Sequence, residues 1–135
     1  MNHQLAEGQF DVKLAALPAY NDAEAARFGR RSIDKQFHGD LDAVSRGEML
    51  SAGTAVPGSA GYVAIEYVTG SLHGRTGSFA LQHTGTLDRG QSTLSVTVVP
   101  DSGTGELSGL RGSMDIIITG SEHRYRFDYT LPAAP

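Results

Sequence analysis

From Ser78 to Leu131 the chain exchanges apolar for polar residues at every second position, in four runs separated by turn chemistry. Phe79, Leu81, His83 and Leu87 alternate with Ala80, Gln82, Thr84 and Thr86. Leu94, Val96 and Val98 alternate with Ser95 and Thr97. Met114, Ile116 and Ile118 follow a Gly-rich connection, and His123, Tyr125, Phe127, Tyr129 and Leu131 make the last run. Neighbouring side chains of a strand point to opposite faces, so a period of two marks strands with one face in a core and one in water.

The first half extends the count. Gly8 to Leu17 reads as a strand with Phe10, Val12 and Leu14 on one face, ended by Pro18. Asn21 to Phe28 is the single candidate helix, with Asn21 as a cap, Glu24 three residues on, and Ala23, Ala25 and Ala26 as helix formers. Arg31 to His38 sets Ile33 and Phe37 against Asp34, Gln36 and His38; Val44 to Ser51 follows the Gly39-Asp40 turn. Pro57-Gly58 is a strong turn signal, and Gly61 to Thr69 is the next strand. The sum is an all-β, single-domain, antiparallel eight-stranded barrel over residues 1–135, with its core between about residues 8 and 131 and at most one short helix. Closure removes strand edges prone to mispairing. Eight strands enclose an interior that side chains fill or that holds one small ligand.

Bulk properties then exclude classes. A chain of 135 residues is one domain with a core of its own. Cysteine is absent, which removes thiol catalysis, zinc–thiolate sites and disulfides. The net charge of −4 is spread over interspersed acids and bases, with no basic stripe for nucleic acid. The opening Met1-Asn2-His3-Gln4-Leu5-Ala6-Glu7 lacks the basic and apolar regions of a signal peptide. No apolar run reaches the ~20 residues that span a bilayer. The expectation is a cytoplasmic protein with neither a nucleic-acid nor a membrane partner.

Two residues stand out chemically. His83 shares its face with Phe79, Leu81 and Leu87, and Glu66 shares one with Tyr62, Ala64 and Val68. A carboxylate among apolar neighbours must pair, here with Arg46, Lys35 or Arg126, or carry a raised pKa. Turned into one cavity, Glu66 and His83 form an acid–base pair able to move a proton or hold a polar ligand group. They are the candidate catalytic residues, and Glu66, Gln82, His83 and Glu48 the candidate ligand-binding ones. No His-X-His or His-Glu-X-X-His spacing occurs, so neither a metal nor another cofactor is expected. Gly-X-Ser-X-Gly is absent too. The run from Ser102 to Gly112 lacks the Lys-Ser/Thr ending of a phosphate loop, contains Glu106 and joins antiparallel strands. Its glycines suit close packing over a barrel end.

Several blocks resemble a family of small, uncharacterised bacterial proteins: Gly61-Tyr62-Val63-Ala64-Ile65-Glu66, Gly77 to Thr86, Ser102 to Gly112, and Tyr125-Arg126-Phe127-Asp128-Tyr129-Thr130-Leu131. The likeness runs from about Gly8 to Leu131 and implies an allene oxide cyclase-like barrel, a fold related to plant cyclases and dirigent proteins. Plant cyclases mould a reactive fatty-acid epoxide in an apolar pocket and tend to form trimers, which implies a homo-oligomer. The likeness carries no site residue over to this chain. Three functions follow as expectations. The first is a barrel that binds a small apolar molecule through Glu66, Gln82 and His83. The second is an isomerase or cyclase using the same pocket. The third is a filled barrel serving as a homo-oligomeric structural module.

Overall fold

A computed structural model describes residues 3–132; Met1 and Asn2, part of the opening stretch read for a leader, lie outside it. Eight strands follow one another: β1 (Gln4–Leu17), β2 (Phe28–Gly39), β3 (Leu41–Gly53), β4 (Ala60–Leu72), β5 (Arg75–Asp88), β6 (Gln91–Val98), β7 (Arg111–Thr119) and β8 (Glu122–Thr130). Each pairs antiparallel with its neighbour in sequence, and β8 pairs with β1 to close the barrel. Among the described residues no helix is long and apolar enough to cross a membrane.

The helix expected over Asn21 to Phe28 is not formed. Only Glu24–Ala26 makes a 3₁₀ turn, which ends at Arg27 in the left-handed region (φ 53°). Phe28 already belongs to β2. Asn21 Oδ1 accepts from the Ala23 N–H (3.2 Å), so the cap residue closes a local turn instead. The strands also run longer than the alternation suggests. Ala6 is fully buried, so the core starts before Gly8.

The barrel has two unlike ends. At one end Phe37, Leu41, Leu72, Phe79, Phe127 and Tyr129 pack solidly, each worth about 1.5–3 kcal/mol on burial. Phe79 stacks on Phe127 at 5.9 Å, and Tyr125 meets Phe37 edge-on at 5.7 Å. The Tyr125 hydroxyl donates to the His38 carbonyl (2.8 Å) and accepts from the Leu41 N–H (2.9 Å), stapling the β2–β3 turn. The Gly-rich connection between β6 and β7 lies over this end, and its Leu107 and Leu110 are fully buried in the core. Glu106 accepts from the Thr76 N–H (3.0 Å), and the Thr104 N–H donates to the Ser78 carbonyl (2.8 Å). This segment is a plug for the barrel.

The other end is open. Leu14, Leu87, Leu94 and Ile118 stand on the inward face yet are 37–63% exposed. The β6–β7 seam explains part of this: the two strands meet at one pair, Thr97↔Ser113. By contrast, β7 and β8 pair continuously from Arg111↔Thr130 to Thr119↔Glu122. Toward the open end the barrel wall therefore parts between β6 and β7.

Candidate functional site

Halfway along the barrel, four polar side chains converge from four consecutive strands. Inward positions alternate along each strand, so β2 contributes Lys35 between Ile33 and Phe37, and β3 contributes Ser45 between Ala43 and Gly47. Likewise β4 contributes Glu66 between Ala64 and Val68, and β5 contributes His83 between Leu81 and Gly85. All four are buried, Glu66 completely and Lys35 and His83 to 9% and 4% residual exposure. Glu66 is the hub. Its Oε2 accepts from Lys35 Nζ (2.8 Å) and lies 2.5 Å from His83 Nε2, while its Oε1 accepts from Ser45 Oγ (2.7 Å). The Lys35 ammonium also sits 4.9 Å from the Phe10 ring centroid and 5.6 Å from that of Phe37, whose π faces attract it.

Local sequence makes room for the hub. Gly47 pairs with Glu66 across β3 and β4, and a Cβ at Gly47 would lie 2.1 Å from the Ile65 carbonyl oxygen and 2.6 Å from Glu66 Cα. Only a hydrogen fits there.

Burial alone would push the Glu66 carboxyl up. The hydrogen bond from His83, and the charge and hydrogen bond of Lys35, overcome it and hold the carboxyl down at about 2. Glu66 is therefore a carboxylate at neutral pH. A carboxylate only accepts hydrogen bonds, so His83 Nε2 is the donor.

Toward the open end lies a cavity of about 450 Å³, lined by Arg31, Met49, Tyr62, Gly85, Leu87 and Ile118 among others, with the four-residue cluster beneath its lining and not part of it. Gly85 is the inward position next above His83, one strand repeat of about 6.6 Å away. Tyr62 lies across Gly85, where a Cβ would meet its ring at 2.3 Å. Burial, then the Glu66 charge, raise the Tyr62 hydroxyl pKa. A larger recess of about 540 Å³ lies under the β1–β2 loop, lined by Tyr20, Phe28, Leu50 and Val63 among others, most of them outward-facing, and it shares Tyr62 and Gly85 with the first. No charged side chain lines it, so the inner cavity is the better candidate.

The residues singled out in the sequence divide cleanly. Glu66 and His83 point inward and touch. Gln82 and Glu48 do not join them: both are exposed on the outer wall, and Glu48 pairs with Arg30 (3.0 Å). The reason is the period of two, which turns the neighbour of an inward residue outward. Of the three cations considered for Glu66, Lys35 is the partner; Arg46 pairs with Asp34 and Arg126 with Glu7. Outside this cluster the His73 ring meets the Tyr129 hydroxyl. Ser45 and Tyr62 were missed, although both fall on inward-facing positions of their strands. Among the described residues no group of three His, Asp or Glu is arranged to hold a metal ion.

Comparison with known proteins places the chain without assigning it a reaction. No curated protein matches it. A crystal structure of a protein of unknown function from Shewanella oneidensis superimposes with a TM-score of 0.92, at 51% identity, over 98% of this chain and 100% of that one. That protein is itself described as a member of the DUF3224 family; neither comparison speaks of an allene oxide cyclase. The model of that family, "Protein of unknown function (DUF3224)", matches residues 6–129. The chain therefore belongs to the DUF3224 family.

Proposed function

We propose that the barrel binds a small apolar molecule bearing one polar group, taken into the open end with that group against the Lys35–Glu66–His83 floor. One observation carries the reading: a buried, charged cluster lies one inward step below the Gly85 wall of a mainly apolar, solvent-connected cavity. Ligand sites are concave and mainly apolar, with a few placed polar groups. Burying charged groups is also costly compared with an apolar core of the same volume, so a purely structural role gives little reason for them. The filled-barrel alternative fits only the plugged end. Lys35 and Glu66 neutralise one another, so the cluster itself does not call for a charged ligand; Arg31 is the one charged residue that lines the cavity. The cytoplasm remains the proposed setting.

The test uses the neutral fluorophore N-phenyl-1-naphthylamine. Its emission should rise on mixing with the protein and saturate at one molecule per barrel. Met49→Trp, which fills the cavity from its wall, should abolish the rise while leaving the circular dichroism spectrum unchanged. Equal binding by both proteins would move the site to the outer wall and end the proposal.

A further inference from the structure

We propose that His83 is a general base acting on the α-carbon of an uncharged, apolar carbonyl compound, with Glu66 as its positioning residue. The inference rests on the binding reading above and goes beyond it, from holding a ligand to moving its proton.

Three features converge. His83 donates from Nε2 to Glu66, so the neutral ring carries its lone pair on Nδ1. That atom has no hydrogen-bond partner among the described residues, and no buried side-chain nitrogen or oxygen there lacks one. Nδ1 is therefore not fully enclosed, and His83 stands one inward step below Gly85, which lines the cavity. Donors stand nearby. Lys35 Nζ spends one of its three N–H groups on Glu66, and the Tyr62 hydroxyl has no partner either. A donor for an oxyanion, Tyr62, thus lines the mainly apolar cavity, and an acceptor for a proton lies one inward step below its Gly85 wall. Such preorganised donors are worth most where water is scarce.

The step balances within the site. The C–H bond next to the carbonyl breaks, its proton goes to Nδ1, and its electron pair moves to the carbonyl oxygen. The resulting enolate accepts hydrogen bonds from Tyr62 or Lys35. Nδ1–H then swaps its proton for one from solvent water and gives that to the same carbon, or delivers its proton to a conjugated carbon. The net result is exchange or isomerisation, with no oxidant or reductant. Glu66 fixes the tautomer and steadies the imidazolium, without touching the substrate.

The probe is 2-tetralone in D2O, followed by proton NMR, with occupancy read from line broadening of the ketone. Loss of the α-proton signals should be at least ~100-fold faster with protein than in buffer, the low end for general base catalysis. His83→Gln keeps an N–H for Glu66 but has no base. It should bind the ketone and show no exchange above buffer. Glu66→Gln should lower the rate and shift the midpoint of its pH profile, which a merely structural role would not do. Binding without faster exchange in the native protein overturns the inference and leaves the binding reading standing. No binding at millimolar ketone overturns both. Exchange that survives in His83→Gln assigns the base elsewhere.

Discussion

Glu66 concentrates the electrostatics of this protein in one carboxylate. Its folded pKa, at about 2, lies below the ordinary 4.5. The unfolded chain therefore binds more protons between those values. The stabilisation is complete above about pH 4.5 and is lost as the pH falls toward 2. Its size is about 3 kcal/mol at 1.36 kcal/mol per unit. Urea midpoints at pH 7 and pH 3 should show about 2 kcal/mol of this drop in the native protein and a smaller one in Glu66→Gln. Removing the cation is a harsher test. Lys35→Met leaves a buried carboxylate opposed only by His83 and Ser45, and should destabilise by about 3–5 kcal/mol. Adding Glu66→Gln to it should restore part of that loss, again by urea unfolding. Glu66 and His83 were legible because a charge on an apolar face has to be accounted for. Lys35 was legible only as one of three candidates, since its long stem can reach water from many positions. Ser45 was invisible, because a serine on an inward face looks like any small residue.

At the level of the strands, alternation carried most of the fold. It located all eight and set Glu66 and His83 each on a face with apolar neighbours, but left open whether those faces turn inward. It was least informative at strand ends, where inward and outward positions are both wet, and Leu14 and Leu87 look like core while standing at the open mouth. The Ala-rich run after Asn21 shows propensity giving way to connection: a short link between two paired strands has no partner against which to stabilise a helix. Spacing between strands is set by glycine as much as by core residues. Gly47→Ala should push β4 away from β3 beside Glu66, since its Cβ would strike backbone rather than a movable side chain. We expect a loss of at least about 1–3 kcal/mol, typical of overpacking, as a lowered urea midpoint.

The whole molecule divides into a packed end that supplies stability and an open end that supplies space. The division predicts where the native structure opens first. Amides of Ser92–Ser95 and Asp115–Ile117 that face the β6–β7 seam have no partner strand across it. They should exchange with solvent well before those linking β4 to β5, as hydrogen exchange by NMR would show, because local opening follows unpaired edges. Barrel closure has a further consequence, for synthesis rather than stability. Gln4 finds its partner at Tyr129, so the first strand made must wait for the last. Lys35, Ser45, Glu66 and His83 come from strands adjacent in the chain and can assemble as translation proceeds. Throughout that time β1 carries a bare edge, until β8 has left the ribosome. A growing chain of this design needs that edge shielded, and a stalled one is a template for pairing with its neighbours on the same message.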